Sequence, residues 1–94
     1  MRIVCNENTK RREIIKAIRH IMIDFDIKNA QIIEKLGSTK QTVSNTLNPD
    51  YRPDSSMTID TLVMLCNAID CDVSIEILPR DKDKLNEHVL KNYY

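Results

Sequence analysis

Glycine and aromatic residues are scarce in this chain of 94 residues, which has one glycine, one phenylalanine, three tyrosines and no tryptophan. The core therefore has to be aliphatic, and thirteen isoleucines indicate the same. A single glycine also excludes the glycine-rich loops that bind phosphate, because those loops need more than one glycine at fixed spacing. The position of that one residue, Gly37, consequently becomes informative.

Paired cysteines and long apolar runs are missing as well. Cys5, Cys66 and Cys71 are odd in number, and with His20 and His88 they match no zinc-site spacing, so we expect no metal and no cofactor. The two later cysteines fall at apolar positions and are interpreted as reduced core residues. No apolar run approaches the ~20 residues of a membrane helix, and no signal peptide is visible. We expect a cytoplasmic protein with no membrane partner.

A net charge is also lacking, because fourteen Lys and Arg balance fourteen Asp and Glu. This balance argues mildly against nucleic-acid binding, but the two halves of the chain differ. Residues 1–52 contain ten basic and six acidic residues, whereas residues 53–94 contain four and eight. A basic half suits phosphate contact, with the acidic half facing elsewhere. The alternative is a chance imbalance in a short chain.

Apolar spacing predicts four helices. The first begins after Asn8 or Thr9, either of which can cap it, and its apolar stripe consists of Ile14, Ile15, Ile18, Ile21, Met22 and Phe25. The second and third are expected at about 29–36 and 39–47. The fourth begins at Thr58 and ends near Asp70, and its buried face consists of Leu62, Leu65 and Ile69.

A period of two residues replaces the helical spacing in Asp72–Leu78 and predicts a half-buried strand. A lone strand is not stable, so it has to pair with residues 1–5, with the same strand of a second copy, or with both. We expect its apolar face at or near a homodimer interface. That face consists of Val73, Ile75 and Ile77. The charged residues that follow predict a short helix or a tail.

Gly37 lies between two segments with helical apolar spacing, residues 29–36 and 39–47. Glycine adopts left-handed backbone angles without steric cost and is therefore typical of the position after a helix end. Two short helices joined by such a turn form a helix-turn-helix, which mainly serves to place the second helix in the DNA major groove.

Residues 10–75 resemble the lambda-repressor-like, Cro-type (XRE) helix-turn-helix family of small phage and bacterial DNA-binding regulators. The resemblance rests on Ile32–Ser44, on Thr58–Leu62 and on Ala68–Val73 at the family's spacing. It implies a mainly α fold of four to five helices, here with a C-terminal β-strand. The expected organisation is a strand or arm at 1–8, the helix-turn-helix domain at 9–71, a dimerisation strand at 72–79, and a charged helix or tail at 80–94.

By that resemblance, the third helix directs four polar side chains toward base edges: Lys40, Gln41, Ser44 and Asn45. Lysine can donate to guanine, and the amides of glutamine and asparagine can pair with adenine. The phosphate contacts are expected from Asn29, Thr39, Thr42, Asn48, Arg12 and Lys16. The alternative for all of these residues is a solvated polar surface.

This sequence departs from the family at two packing positions and at one helix-capping position. Ile33 stands where the family favours a small residue, Lys28 where it favours Thr or Ser, and Thr46 where it often has a large apolar residue.

Two functions are consistent with these features. The first is a sequence-specific DNA-binding transcriptional regulator, a repressor, that acts as a homodimer on double-stranded DNA. The second is a protein-binding module, such as an antitoxin that holds a toxin or a phage-encoded inhibitor of a host enzyme, and the acidic C-terminal half favours it. We do not expect an enzyme, because the sequence shows no paired carboxylates and no nucleophile with a nearby base.

Overall fold

The fold is described from a computed structural model over residues 2–86. This part contains helix α1 (Arg11–Asp24), α2 (Asn29–Leu36), α3 (Lys40–Thr46) and α4 (Ile59–Ala68), and a further helical segment covers 82–86. The predicted mainly helical fold is confirmed. Met1 and residues 87–94 lie outside the described part, and so do the predictions that concern His88 and most of the C-terminal tail.

Helix α1 begins one residue later than a cap at Thr9 would place it, and two later than a cap at Asn8. Its N-cap is Lys10, whose backbone N–H donates to a carboxylate oxygen of Glu13 at 3.0 Å. The Thr9 hydroxyl instead accepts from the backbone N–H of Asn6 at 2.9 Å and closes a turn ahead of the helix. The bond to Glu13 satisfies the N–H of the cap residue itself, and the side-chain cap that we expected is not present.

The buried face of α1 is also shifted relative to the predicted stripe. Ile15, Ile18 and Met22 are buried, whereas Phe25 is 69% exposed. Phe25 is the C-cap of the helix, and Asp26 after it has a φ of 53°. Because the chain leaves the helical path at this point, Phe25 no longer lies on the face that the spacing assigned to it.

A single aliphatic core joins the four helices, as the composition predicts. Its fully buried side chains come from each helix or its C-cap: Ile15, Ile32, Val43, Leu47 and Leu65. Ile18, Met22, Ala68 and Ile69 complete it. Ile33, which stands where the family favours a small residue, is partly buried and packs against this core. Each full burial of such a side chain contributes about 1.5–3 kcal/mol.

The turn between α2 and α3 has the geometry that the sequence predicts. Gly37 is the C-cap of α2, with φ 60° and ψ 32° in the left-handed region. The N–H groups of Gly37 and Ser38 donate to Glu34 and Ile33 carbonyls at 3.3 and 3.2 Å, which satisfies the end of the helix. The Thr39 hydroxyl then accepts from the Thr42 N–H at 3.1 Å and caps α3.

The other two helix starts differ. At α2 the N-cap is Lys28, which makes no side-chain cap, so the hydroxyl cap that the family favours is missing; the Lys28 N–H donates to the Gln31 side-chain oxygen at 2.7 Å. At α4 the Thr58 hydroxyl accepts from the Thr61 N–H at 3.2 Å, as predicted. None of the described helices has the length and apolar character needed to cross a membrane.

The strand predicted for Asp72–Leu78 is not confirmed. Residues 71–79 have no regular secondary structure, and within the described part no backbone hydrogen bond joins them to residues 2–8. The two segments nevertheless lie side by side, because Arg2 pairs with Glu76 at 2.9 Å and Arg80 with Glu7 at 2.6 Å. A strand requires a backbone partner, and residues 2–86 do not supply one.

A cavity of about 130 Å³ lies between α2, α3 and α4. It is lined mainly by apolar side chains, with Thr46 at the position where the family often has a large apolar residue. The Thr46 hydroxyl donates back to the Thr42 carbonyl at 2.7 Å, inside its own helix. The side of α3 that faces the cavity is therefore incompletely packed.

Replacing Gly37 tests the turn. A Cβ at this position would meet no atom within 4 Å, so the cost comes from the backbone angle alone. We expect Gly37→Ala to lower the free energy of unfolding by about 1–2 kcal/mol. Gly37→Asn should cost less than half as much, because asparagine tolerates left-handed angles. Urea denaturation measures both, and equal losses would contradict this explanation.

Filling the cavity tests the packing under α3. We expect Thr46→Leu to raise the free energy of unfolding by about 0.5–1 kcal/mol, because the larger side chain buries apolar surface that now borders empty space. Thermal unfolding followed by circular dichroism measures the change. Asn67→Leu on α4 is the control, since Asn67 is exposed and does not line the cavity. A lower melting temperature for Thr46→Leu alone would show that the cavity cannot accommodate the side chain.

Candidate nucleic-acid interface

Helix α3 is anchored on one side and open on the other. Val43 and Leu47 turn into the core and are almost completely buried, as predicted. Lys40, Gln41 and Ser44 are exposed on the opposite side. In this helix of seven residues Thr42 is exposed as well, and Asn45 and Thr46 are half-buried. The helix thus presents a compact polar face to solvent.

Two amide side chains on this face are joined to each other. Gln41 Nε2 donates to Asn45 Oδ1 at 2.9 Å, across one helical turn. Asn45 is half-buried, which restricts the movement of the pair. The bond leaves the Gln41 Oε1 acceptor and the Asn45 Nδ2 donor for a ligand. A neighbouring acceptor and donor complement the N6 and N7 groups that adenine presents in the major groove.

The residues expected to contact phosphate lie on α1, on α2, and on or next to α3. Asn29 is exposed at the first position of α2, and Thr42 is exposed in the first turn of α3. The Thr39 hydroxyl is occupied, because it accepts from the Thr42 N–H and donates to the Thr42 hydroxyl at 2.8 Å. Asn48 Oδ1 accepts from the Asp50 N–H at 2.9 Å and so stabilises the turn after α3. Thr39 and Asn48 consequently have structural roles of their own.

The basic residues of α1 divide into two groups. Arg12 and Lys16 are exposed, and Arg12 has only a 3.8 Å ion pair with Asp50, which a phosphate could replace because exposed ion pairs contribute little. Arg11 and Arg19 instead donate to main-chain carbonyls at the carboxyl end of α3. The sequence did not predict this role, because the acceptors are backbone carbonyls, which every residue has.

Reactive side chains are sparse in the described part of the chain. It contains no group of three or more His, Cys, Asp or Glu side chains that could hold a metal ion. The three thiols are unpaired, and burial, followed by the nearby Cys71, raises the pKa of the Cys66 thiol. The Lys28 ammonium, which bonds to Asp26 at 2.8 Å, lowers the pKa of that exposed carboxyl and keeps a negative charge just ahead of α2.

The comparison with known families agrees with this geometry. The family model described as a Cro/C1-type HTH DNA-binding domain matches residues 17–81, which contain most of α1 and all of α2, α3 and α4. No curated protein and no solved structure matches the chain. The match covers more than half of the sequence and includes both helices of the turn motif. The chain belongs to the Cro/C1-type helix-turn-helix DNA-binding family.

Proposed function

We propose that the protein is a sequence-specific transcriptional regulator, a repressor, that reads the major groove of double-stranded DNA with α3. The observation that carries this proposal is the polar face of α3, held outward by Val43 and Leu47 in a chain of a DNA-binding family. Base contacts come from Lys40, Gln41, Ser44 and Asn45. Phosphate contacts come from Asn29, Thr39, Thr42, Asn48, Arg12 and Lys16, and they set the position of the helix on the duplex.

Repression follows from steric exclusion. A protein that occupies the major groove of a promoter blocks other proteins from the same DNA, and it needs no further activity to do so. We propose that this event takes place in the cytoplasm, and the resemblance to phage and bacterial regulators supports a phage or bacterial source. We propose no enzymatic activity and no cofactor.

We further propose that the protein acts as a homodimer through Val73, Ile75 and Ile77. Ile75 and Ile77 are 64% and 83% exposed in the single chain, and the backbone around them is unpaired within the described part. The same segment of a second copy would pair with this backbone and cover the isoleucines. The two copies of α3 would then contact half-sites about one helical turn, ~34 Å, apart.

A second candidate function is favoured by the outer side of α4. Ile59 and Val63 are exposed there, one helical turn apart. An apolar surface of this kind can bind another protein. An antitoxin that holds a toxin, or an inhibitor of a host enzyme, would use such a surface with or without DNA binding.

Substitutions on α3 test base reading. Fluorescence anisotropy with a duplex from the promoter of its own gene should show that Lys40→Ala and Gln41→Ala each cost about 1–3 kcal/mol. The same variants should bind unrelated DNA almost normally, because phosphate contacts dominate there. Lys82→Ala, in the helical segment at 82–86, is the control. A Lys40→Ala, Gln41→Ala, Asn45→Ala triple variant that bound as tightly as the natural chain would contradict the assignment of these residues.

Charges on the expected dimer face test assembly. We expect the natural chain to be a dimer at tens of micromolar in light scattering. We expect the Ile75→Asp, Ile77→Asp double variant to be a monomer, because carboxylates cannot be buried unpaired between two copies. Ile23→Asp, at an exposed position of α1, is the matched control. A monomeric natural chain would contradict the dimer while leaving DNA binding by α3 open to its own test.

A further inference from the structure

The Arg11 guanidinium lies at the carboxyl end of α3 and donates to four main-chain carbonyls. Its Nη2 atom donates to the carbonyls of Asn45, at 3.2 Å, and Thr46. Its Nη1 atom donates to those of Asn48, at 3.1 Å, and Tyr51, at 2.5 Å. Carbonyls in the last turn of a helix have no partner within the helix. Arg11 therefore supplies donors that α3 cannot supply to itself.

The backbone at the start of α1 binds to the same loop. The Arg11 N–H donates to the Ser55 carbonyl at 2.9 Å, and the Arg12 N–H donates to the Pro53 carbonyl at 3.3 Å. These N–H groups belong to the first turn of α1, where intrahelical acceptors are absent. The loop at 48–55 thus caps α1 while the Arg11 side chain caps α3, and the three segments form one hydrogen-bonded unit.

Two neighbouring side chains reinforce this unit. The Arg11 guanidinium lies 5.8 Å from the centre of the Tyr51 ring, within range of a cation–π interaction. Arg19, two turns further along α1, donates from Nη1 to the Leu47 carbonyl at 3.1 Å. Both arginines therefore act on the last residues of α3 and its C-cap.

The carboxyl end of α3 has a particular need for such contacts. The helix is seven residues long, and short helices depend on their surroundings for stability. Leu47 is buried at this end, but the cavity borders Thr46, so the packing around the last turn is incomplete. Arg11 binds the carbonyl of Thr46. A hydrogen-bonded clamp on the main chain thus adds to the contacts that Leu47 makes with the core.

We propose that Arg11 is a positioning residue for the DNA-reading helix, an inference that rests on the proposed function for its effect on DNA binding. It acts through the main chain of residues 45–51 and does not contact DNA. Arg11 lies outside the residues that match the family, 17–81, so the clamp adds to the matched domain from the N-terminal side. Lysine cannot replace it, because a single ammonium group cannot reach four acceptors in a fixed plane.

Amide hydrogen exchange without DNA tests the clamp independently of the proposed function. In Arg11→Gln, we expect exchange at Leu47, Asn48 and Tyr51, whose N–H groups bond within this region, to rise at least tenfold. Exchange at Gly37 should not change. Arg12→Gln is the matched control, because Arg12 pairs only with Asp50 on the surface. Arg11→Lys keeps the charge and should show the same local increase. If Arg11→Gln does not fold, hydrogen exchange in Arg11→Lys tests the clamp on its own.

DNA binding then separates positioning from direct contact. We expect Arg11→Lys to weaken specific binding at least fivefold and to leave the salt dependence of the binding constant unchanged. Loss of a phosphate contact would instead reduce the slope of log K against log salt by about 1. Such a reduction, with unchanged hydrogen exchange, would overturn the proposal, and so would full rescue by lysine. If the natural chain bound no DNA, the proposed function would fail, while hydrogen exchange would still decide whether the clamp exists.

Discussion

The placement of α3 depends on the burial of two side chains, Val43 and Leu47, in the core shared by all four helices. A helix of seven residues that buried more than one face would have no polar surface left to expose. Its two ends therefore have to be fixed by other means. Gly37 and the Thr39 cap fix the amino end through backbone geometry, and Arg11 fixes the carboxyl end through hydrogen bonds.

These hydrogen bonds change the interpretation of the excess positive charge in residues 1–52. Of the ten Lys and Arg there, Arg11 and Arg19 are engaged with carbonyls, so they add charge near the duplex without being free to reach it. Their positive charge still lies close to α3 and raises the local potential. In the proposed complex with DNA, long-range attraction and direct phosphate contact would therefore come from different members of one basic group. Net charge along the sequence does not separate these two contributions.

Most features that depend on neighbouring residues in the chain were predicted correctly from the sequence, and most features that depend on distant residues were not. Helix α2 was predicted within its observed bounds, Asn29–Leu36, because apolar spacing and Gly37 both act within a few residues. The polar face of α3 followed from the same local period, although its role in base reading stays a prediction. Phe25 was misplaced because a helix end depends on the φ of Asp26. Arg11 was missed because its acceptors lie 34 to 40 residues away and are backbone atoms that every residue carries.

The alternating pattern of the segment at 71–79 is not explained by contacts within the described part of one chain. Alternating apolar and polar residues stabilise a strand only when the apolar face is covered. The neighbouring arm at 2–8 is held beside this segment by two exposed ion pairs, which contribute little to stability. Ile3 and Val4 of that arm are exposed too, so the arm does not cover Ile75 and Ile77. Apolar side chains and unpaired backbone therefore coincide on two adjacent segments. A second copy of the chain can satisfy both at once, which makes the predicted strand and the proposed dimer a single question.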